Sequence, residues 1–141
     1  MIVAHSIEIA APAERVWKVL VEPSLTKQYM FGCEAVSTWQ PGASLEWKAW
    51  PQGKETVFVA GLVVAIEPAR RLVYTTYDPR RGADEHALEV SEQLTPIAGG
   101  TRLEVTQGDF ARVADGAERF GHANDGWAIV LQKIKALSES L

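Results

Sequence analysis

The spacing of apolar positions changes near residue 109 of this 141-residue chain. Between residues 34 and 108, apolar and polar residues alternate in short runs that are separated by turn residues, which is typical of strands. From residue 115 onwards, apolar residues recur at helical spacing instead. The helical stripe consists of Phe120, Trp127, Val130, Leu131, Ile134, Leu137 and Leu141. The pattern therefore predicts one long C-terminal helix over about residues 115–139 that packs against a large sheet.

The N-terminal part predicts one strand and two short helices. Residues 2–10 alternate as a strand does, and Pro12 and Glu14 suit the first turn of a helix. Ser24 can cap a second, short helix that ends near Tyr29. Strands are predicted at residues 34–39, 43–50, 55–66, 71–77, 86–95 and 101–107.

These elements follow the order β-α-α-β-β-β-β-β-β-α. The short connections favour sequential antiparallel pairing, because parallel strands would need crossover helices. We therefore expect an α+β fold in a single domain over residues 1–141, with a curved antiparallel sheet of six to seven strands.

Composition narrows the classes of function. Hydrophobic residues make up 47% of the chain and charged residues 23%, as in ordinary globular proteins. A net charge of −4 and the absence of any long Lys/Arg run argue against nucleic-acid binding. Cys33 is the only cysteine, so a reducing cytoplasm is expected. The sequence shows no signal peptide and no apolar run near 18 residues, so no membrane association is expected.

Several polar side chains fall on the predicted inner face of the sheet or helix. Buried polar groups need partners, so these side chains either bond to one another and to water or orient a ligand in an apolar cavity. Both interpretations stay open at this point. The candidate ligand-binding residues are His5, Tyr29, Trp47, Tyr74, Thr76, Gln107, Asn124 and Trp127.

Motifs for metal or cofactor chemistry are not found. His5, His86 and His122 lack the spacing of metal ligands, so no metal site is expected. Residues 84–86 are charged, and we interpret them as the solvent-exposed start of a strand. Gly99-Gly100 lies in a predicted hairpin and not before a helix, so no phosphate loop and no cofactor are expected.

Catalytic residues cannot be assigned from the pattern. There is no Gly-x-Ser-x-Gly motif, and Cys33 has no partner at motif spacing, so a buried, inert thiol is the simpler interpretation. Acid-base chemistry through His5, Tyr74 or Glu46 stays open, although Glu46 alternates outward. Whether the protein is an enzyme is undecided.

Gly126 interrupts the predicted helix at a cost in helix stability. Either it lets the helix approach the sheet closely or bend around it, or it opens the mouth of a pocket. We favour close approach or bending rather than a pocket mouth, because interior glycines often serve backbone packing.

Four segments of the chain resemble one known family in the same order. They are Ile7–Trp17, Gly61–Thr75, Gly99–Thr106, and Gly108–Phe110 with His122–Trp127. They resemble the activator of heat-shock-protein-90 ATPase homologues, within the START/polyketide-cyclase/birch-pollen-allergen (SRPBCC) superfamily. The resemblance implies a helix-grip fold, in which a curved antiparallel sheet wraps around the C-terminal helix and two short helices close one end.

The resemblance also implies a cavity that holds apolar or amphipathic small molecules in many members. The family often has an aromatic residue where this chain has Thr76, so the cavity here is either larger or repacked. Our first hypothesis is binding of a small hydrophobic or amphipathic molecule, with cyclase- or hydrolase-type chemistry as an option.

The alternative is a co-chaperone-like protein-interaction module that activates a heat-shock ATPase. A heat-shock chaperone is not the expected partner, because single-domain members usually lack the additional domain of the true co-chaperone. A homodimer through an edge strand or residues 78–85 is left open.

Overall fold

The strands and helices form in the predicted order. The computed structural model describes residues 1–82 and 85–141, and within them it contains seven strands and three α-helices. The strands and helices are β1 (Val3–Ile9), α1 (Ala13–Val21), α2 (Pro23–Tyr29), β2 (Glu34–Val36), β3 (Ser44–Ala49), β4 (Thr56–Glu67), β5 (Arg71–Thr76), β6 (Leu88–Ile97), β7 (Gly100–Gly108) and α3 (Gly116–Ser140).

All seven strands belong to one antiparallel sheet with the order β1-β7-β6-β5-β4-β3-β2. Strands β2 to β7 each pair with their neighbours in sequence, while β1 pairs with β7. The α+β class, the antiparallel sheet and the long C-terminal helix are thus confirmed. The three α-helices all lie outside the run from β2 to β7, which suits antiparallel pairing of successive strands, since parallel neighbours need a crossover connection.

Strand alternation decides which side chains face α3. In β6, Leu88, Val90, Glu92 and Leu94 are buried, while Glu89 and Gln93 are exposed. The register aligns Tyr74, Val90 and Gln107 in one row across β5, β6 and β7. This row lies on the inner face and reaches the cavity described below.

The C-terminal half of α3 closes the apolar core. Its buried residues include Val130, Leu131 and Ile134. Two polar contacts fix the helix to β1 and to the residue that follows β1. Lys135 Nζ donates to the Glu8 carbonyl at 2.8 Å, and Ala10 N–H donates to the Glu139 carboxylate at 2.8 Å. No helix in the described part of the chain is long and apolar enough to cross a membrane.

Our close-approach interpretation of Gly126 is wrong. A Cβ atom placed on Gly126 would meet no heavy atom within 4 Å, so nothing packs tightly against this position. Gly126 instead lines the cavity between α3 and the sheet. The missing side chain leaves space free, as the pocket-mouth interpretation proposed.

Replacing Gly126 with Ala should therefore stabilise the protein. Ala is better than Gly in a helix interior by about 0.8–1 kcal/mol, and the new methyl group has room here. Urea unfolding monitored by circular dichroism measures the difference. Gly61→Ala is the contrasting control, because its Cβ would overlap the Thr75 carbonyl and should destabilise the protein. A loss of stability in Gly126→Ala would restore the close-approach interpretation.

Candidate functional site

A cavity of about 590 Å³ lies between the inner face of the sheet and the first half of α3. Aromatic side chains dominate its wall, namely Trp47, Phe58, Tyr74, Phe110 and Trp127. Trp47 and Tyr74 contact each other with ring centroids 6.1 Å apart. The volume lies within the 300–1,000 Å³ that is usual for small-molecule sites, and the wall is mainly apolar as in such sites.

The structure places five of the eight predicted ligand-binding residues at this cavity. They are Trp47, Tyr74, Thr76, Gln107 and Trp127. Strand alternation brings the first four to the inner face, and helical spacing brings Trp127 opposite them. The other three are not among the described residues that line the cavity, and each has another partner.

His5 and Asn124 bind each other beside the cavity. The Nε2 atom of His5 lies 3.0 Å from Asn124 Oδ1 and 3.1 Å from the Asn124 carbonyl. Both neighbours are oxygens, so Nε2 carries the proton and donates. Tyr29 is buried, and its hydroxyl donates to the Leu20 carbonyl at 3.1 Å. These three groups join helices to the sheet or to each other.

A chain of hydrogen bonds runs along the cavity wall. Trp127 Nε1 donates to Gln107 Oε1 at 2.9 Å. Gln107 Nε2 donates to Thr76 Oγ1 at 3.3 Å, and Thr76 Oγ1 donates to the Leu88 carbonyl at 3.4 Å. The chain joins α3 to three strands and holds the Gln107 amide in one orientation.

A buried carboxyl group lies next to the cavity wall. Glu92 is only 4% exposed, and burial raises its pKa to about 7, although a hydrogen bond with Tyr74 opposes the rise. Burial and the nearby Glu92 charge raise the pKa of Tyr74 and of Tyr29 well above the usual value. Near neutral pH this carboxyl group is therefore divided between its neutral and charged forms.

Glu92 was not among the predicted residues, although a signal for it exists. It falls between Val90 and Leu94, both of which alternate to the buried face of β6. An acid at an inward position of a strand is uncommon, because a charged carboxylate loses its hydration there. Continuing the alternation along β6 would have identified it.

Two charged residues, Asp78 and Arg119, are among the described residues that line the cavity. Arg119 Nη1 lies 2.6 Å from Glu85 Oε1. Glu85 Oε2 accepts a hydrogen bond from Asp78 N–H at 2.7 Å. The interpretation of Glu85 as solvated is wrong, since its side chain is only 7% exposed. Arg119 and the Asp78 backbone enclose it. His86 is exposed as predicted, and Asp84 lies outside the described residues.

His122 and Phe31 also line the cavity, and Arg80 lies close by against the Phe58 ring. His122 and Phe31 are exposed. Arg80 binds Asp78 through Nε at 3.0 Å and Nη2 at 3.2 Å, and its guanidinium lies 4.9 Å from the centre of the Phe58 ring. The exposed part of the lining therefore combines His122 with the aromatic ring of Phe31, while buried apolar side chains such as Leu88 and Val90 line the interior.

Cys33 lines the cavity and is buried. Burial raises the pKa of its thiol, against a smaller lowering by Arg80, so the thiol is protonated at neutral pH. The thiolate is the nucleophilic form, so this geometry does not activate Cys33. Among the residues that the structure describes, no group of three or more His, Cys, Asp or Glu could hold a metal ion.

A curved antiparallel sheet wrapped around one long helix, with a cavity between them, defines the helix-grip class, a ligand-binding fold of the SRPBCC superfamily. The chain belongs to the family described as Activator of Hsp90 ATPase homolog 1-like protein, whose sequence model matches residues 10–139. The resemblance on which we based the fold is thus confirmed.

Solved structures show the same fold over almost the whole chain. The solution structure of ChR145 from Cytophaga hutchinsonii is 29% identical, with a TM-score of 0.77 and coverage of 99% of this chain and 94% of that one. The crystal structure of MLL2253 from Mesorhizobium loti is 25% identical, with a TM-score of 0.81 and coverage of 97% and 96%.

A third structure, the Aha1 dimer from Colwellia psychrerythraea, is 17% identical with a TM-score of 0.75. It covers 99% of this chain and 96% of that one, and at this identity it shows the fold alone. No curated protein matches the chain.

Proposed function

We propose that this protein binds a small hydrophobic or amphipathic molecule in the cavity between the sheet and α3. The observation that carries the proposal is the open space of about 590 Å³ behind an aromatic wall. Protein interiors are normally close-packed and have few voids larger than a water molecule. A space of this size beside a buried apolar core therefore calls for an occupant.

The distribution of polarity favours an amphipathic molecule. The inner wall presents Trp47, Leu88 and Val90, which suit an apolar body. The lining also includes Arg119 and the exposed His122, which suit a polar group that keeps contact with water. Such a molecule would enter with its apolar end first, because only that end gains from leaving water.

Mass spectrometry of molecules extracted from the purified protein tests the proposal. The extract should contain an apolar or amphipathic compound that is absent from an extract of the Gly126→Phe variant, whose new ring would occupy the cavity. The same compound, added back, should raise the melting temperature of the wild-type protein. An empty extract, together with no thermal shift by a panel of apolar compounds, would contradict the proposal.

The co-chaperone-like alternative has less support. A protein-interaction module needs an exposed contact surface, and it does not require a cavity with an aromatic wall. The family description alone suggests a heat-shock ATPase, and that description concerns the family and not this chain. We propose no reaction for the cavity, because the described groups support binding without an activated nucleophile.

A homodimer is a separate proposal, supported by the dimeric Colwellia structure. The edges of the sheet are β1 and β2, and an edge strand is a natural pairing surface. The other surface suggested by the sequence, residues 78–85, includes two positions outside the described residues. Light scattering coupled to size-exclusion chromatography would measure the mass, and a 15.5 kDa species at all concentrations would exclude the dimer.

A further inference from the structure

We propose that the ligand carries a hydrogen-bond acceptor, such as a ketone or ester carbonyl, that the side-chain amide of Gln107 receives. This inference rests on the proposed binding function and deepens it by naming the chemical class of the ligand. It follows from the direction of the hydrogen bonds in the cavity wall.

The orientation of the Gln107 amide is fixed by Trp127. The two groups lie 2.9 Å apart, and an indole N–H can only donate. The atom that faces the indole must therefore be the amide oxygen. The amide nitrogen is then turned to the opposite side, towards β5 and the cavity.

The direction of the next two bonds follows. Gln107 Nε2 lies 3.3 Å from Thr76 Oγ1 and can only donate, so the Thr76 hydroxyl accepts. The Thr76 hydroxyl proton is therefore available for another acceptor. Thr76 donates it to the Leu88 carbonyl, whose oxygen lies 3.4 Å from Oγ1. Each group thus donates to the next, in the order indole, amide, hydroxyl and carbonyl.

One donor of this chain is left over. The Gln107 amide has two N–H bonds, and the hydrogen bonds of the described residues use one of them. Its oxygen and the Thr76 oxygen each already have a partner. Among buried backbone groups, an N–H without a partner is rarer than a carbonyl with an unused lone pair, and we apply the same preference to the half-buried Gln107 amide. Because Gln107 lines the cavity, the missing partner is an acceptor on the ligand.

The surroundings set the shape of the remaining ligand. Val90 separates Gln107 from Tyr74 in the row across the sheet, so these two side chains are two strand spacings, or roughly 10 Å, apart. The Trp47–Tyr74 pair lies beyond that point. A flat apolar body that extends from its carbonyl group towards this aromatic pair fits the wall.

Two naphthalene probes of equal shape test the inference. Acetylnaphthalene carries a carbonyl oxygen, and isopropenylnaphthalene has a methylene group in its place. Titration calorimetry with the wild-type protein should show the ketone binding roughly three- to tenfold more tightly, which is the usual net strength of one neutral hydrogen bond.

The Gln107→Glu variant should abolish the preference for the ketone above neutral pH. A carboxylate keeps an acceptor for Trp127 but offers no donor, so the ketone should lose its advantage over the alkene. Naphthylmethylammonium, which only donates, should bind this variant at least threefold more tightly than it binds the wild type. A misfolded variant could not produce that gain. Gln93→Glu is the matched control, since Gln93 is exposed on the outer face, and it should leave all three affinities unchanged.

The outcomes separate this inference from the proposed function. Equal binding of ketone and alkene by the wild type would overturn the acceptor inference while leaving apolar binding intact. An unchanged ketone preference in Gln107→Glu would also overturn it. Binding of neither probe, with no displacement by either of a bound apolar compound, would overturn the proposed function itself.

Discussion

Replacing Glu92 with Gln should remove a loss of stability that the wild-type protein suffers as the pH rises. The folded-state pKa of Glu92 is about 7, against 4.5 for an unperturbed glutamate. The folded state thus binds the proton more tightly, so stability from this group is fully present below about pH 4.5 and is lost as the pH rises through 7. We expect the wild type to lose about 2–3 kcal/mol between about pH 5 and pH 8 relative to Glu92→Gln.

Urea unfolding of both proteins across this pH range measures the difference. The comparison is between variant and wild type at each pH, because other carboxyl groups titrate in both proteins alike. Glu89→Gln is the matched control, since Glu89 lies on the same strand but is exposed. It should give a difference that does not change with pH. Parallel stability curves for Glu92→Gln and wild type would show that Glu92 is not buried as described.

Replacing Gly126 with Phe should block the cavity and reduce apolar binding at least tenfold. The new ring starts from a position that lines the cavity, where a Cβ meets no atom within 4 Å. It therefore fills the space intended for the ligand without displacing the wall. Fluorescence titration with phenylnaphthylamine, a neutral apolar dye, measures the affinity.

Gly121→Phe is the control for this prediction. Gly121 lies in the same helix and has equally open space at its Cβ, but it is not among the described residues that line the cavity. Both substitutions change helix propensity in the same way, so only cavity filling distinguishes them. If the two variants bind the dye equally, then the dye binds outside the cavity.

Much of the fold follows from periodicity in the sequence. Period-two alternation located the strands, and the stripe from Phe120 to Leu141 located α3, because burial on one side requires these spacings. Alternation also placed Tyr74, Thr76 and Gln107 together, since the period of a strand decides the face of each side chain.

The remainder depends on how distant elements meet. His5 and Asn124 each looked like candidates to face a ligand, but the placement of α3 along β1 makes them partners of each other. The Arg119–Glu85 pair depends on where Glu85 lies relative to α3, which no local pattern encodes. Gly126 shows the same limit, because a helical glycine is compatible with close packing and with empty space until the neighbours are known.

Nuclear Overhauser contacts between bound acetylnaphthalene and assigned methyl groups would show directly whether the cavity is the binding site. We expect contacts from the probe to the Leu88 and Val90 methyl groups and to the Trp127 indole, which line the cavity. The exposed Leu62 and Val64 of β4 should show none. Contacts confined to Leu62 and Val64, or to other exposed side chains, would contradict ligand binding between the sheet and α3.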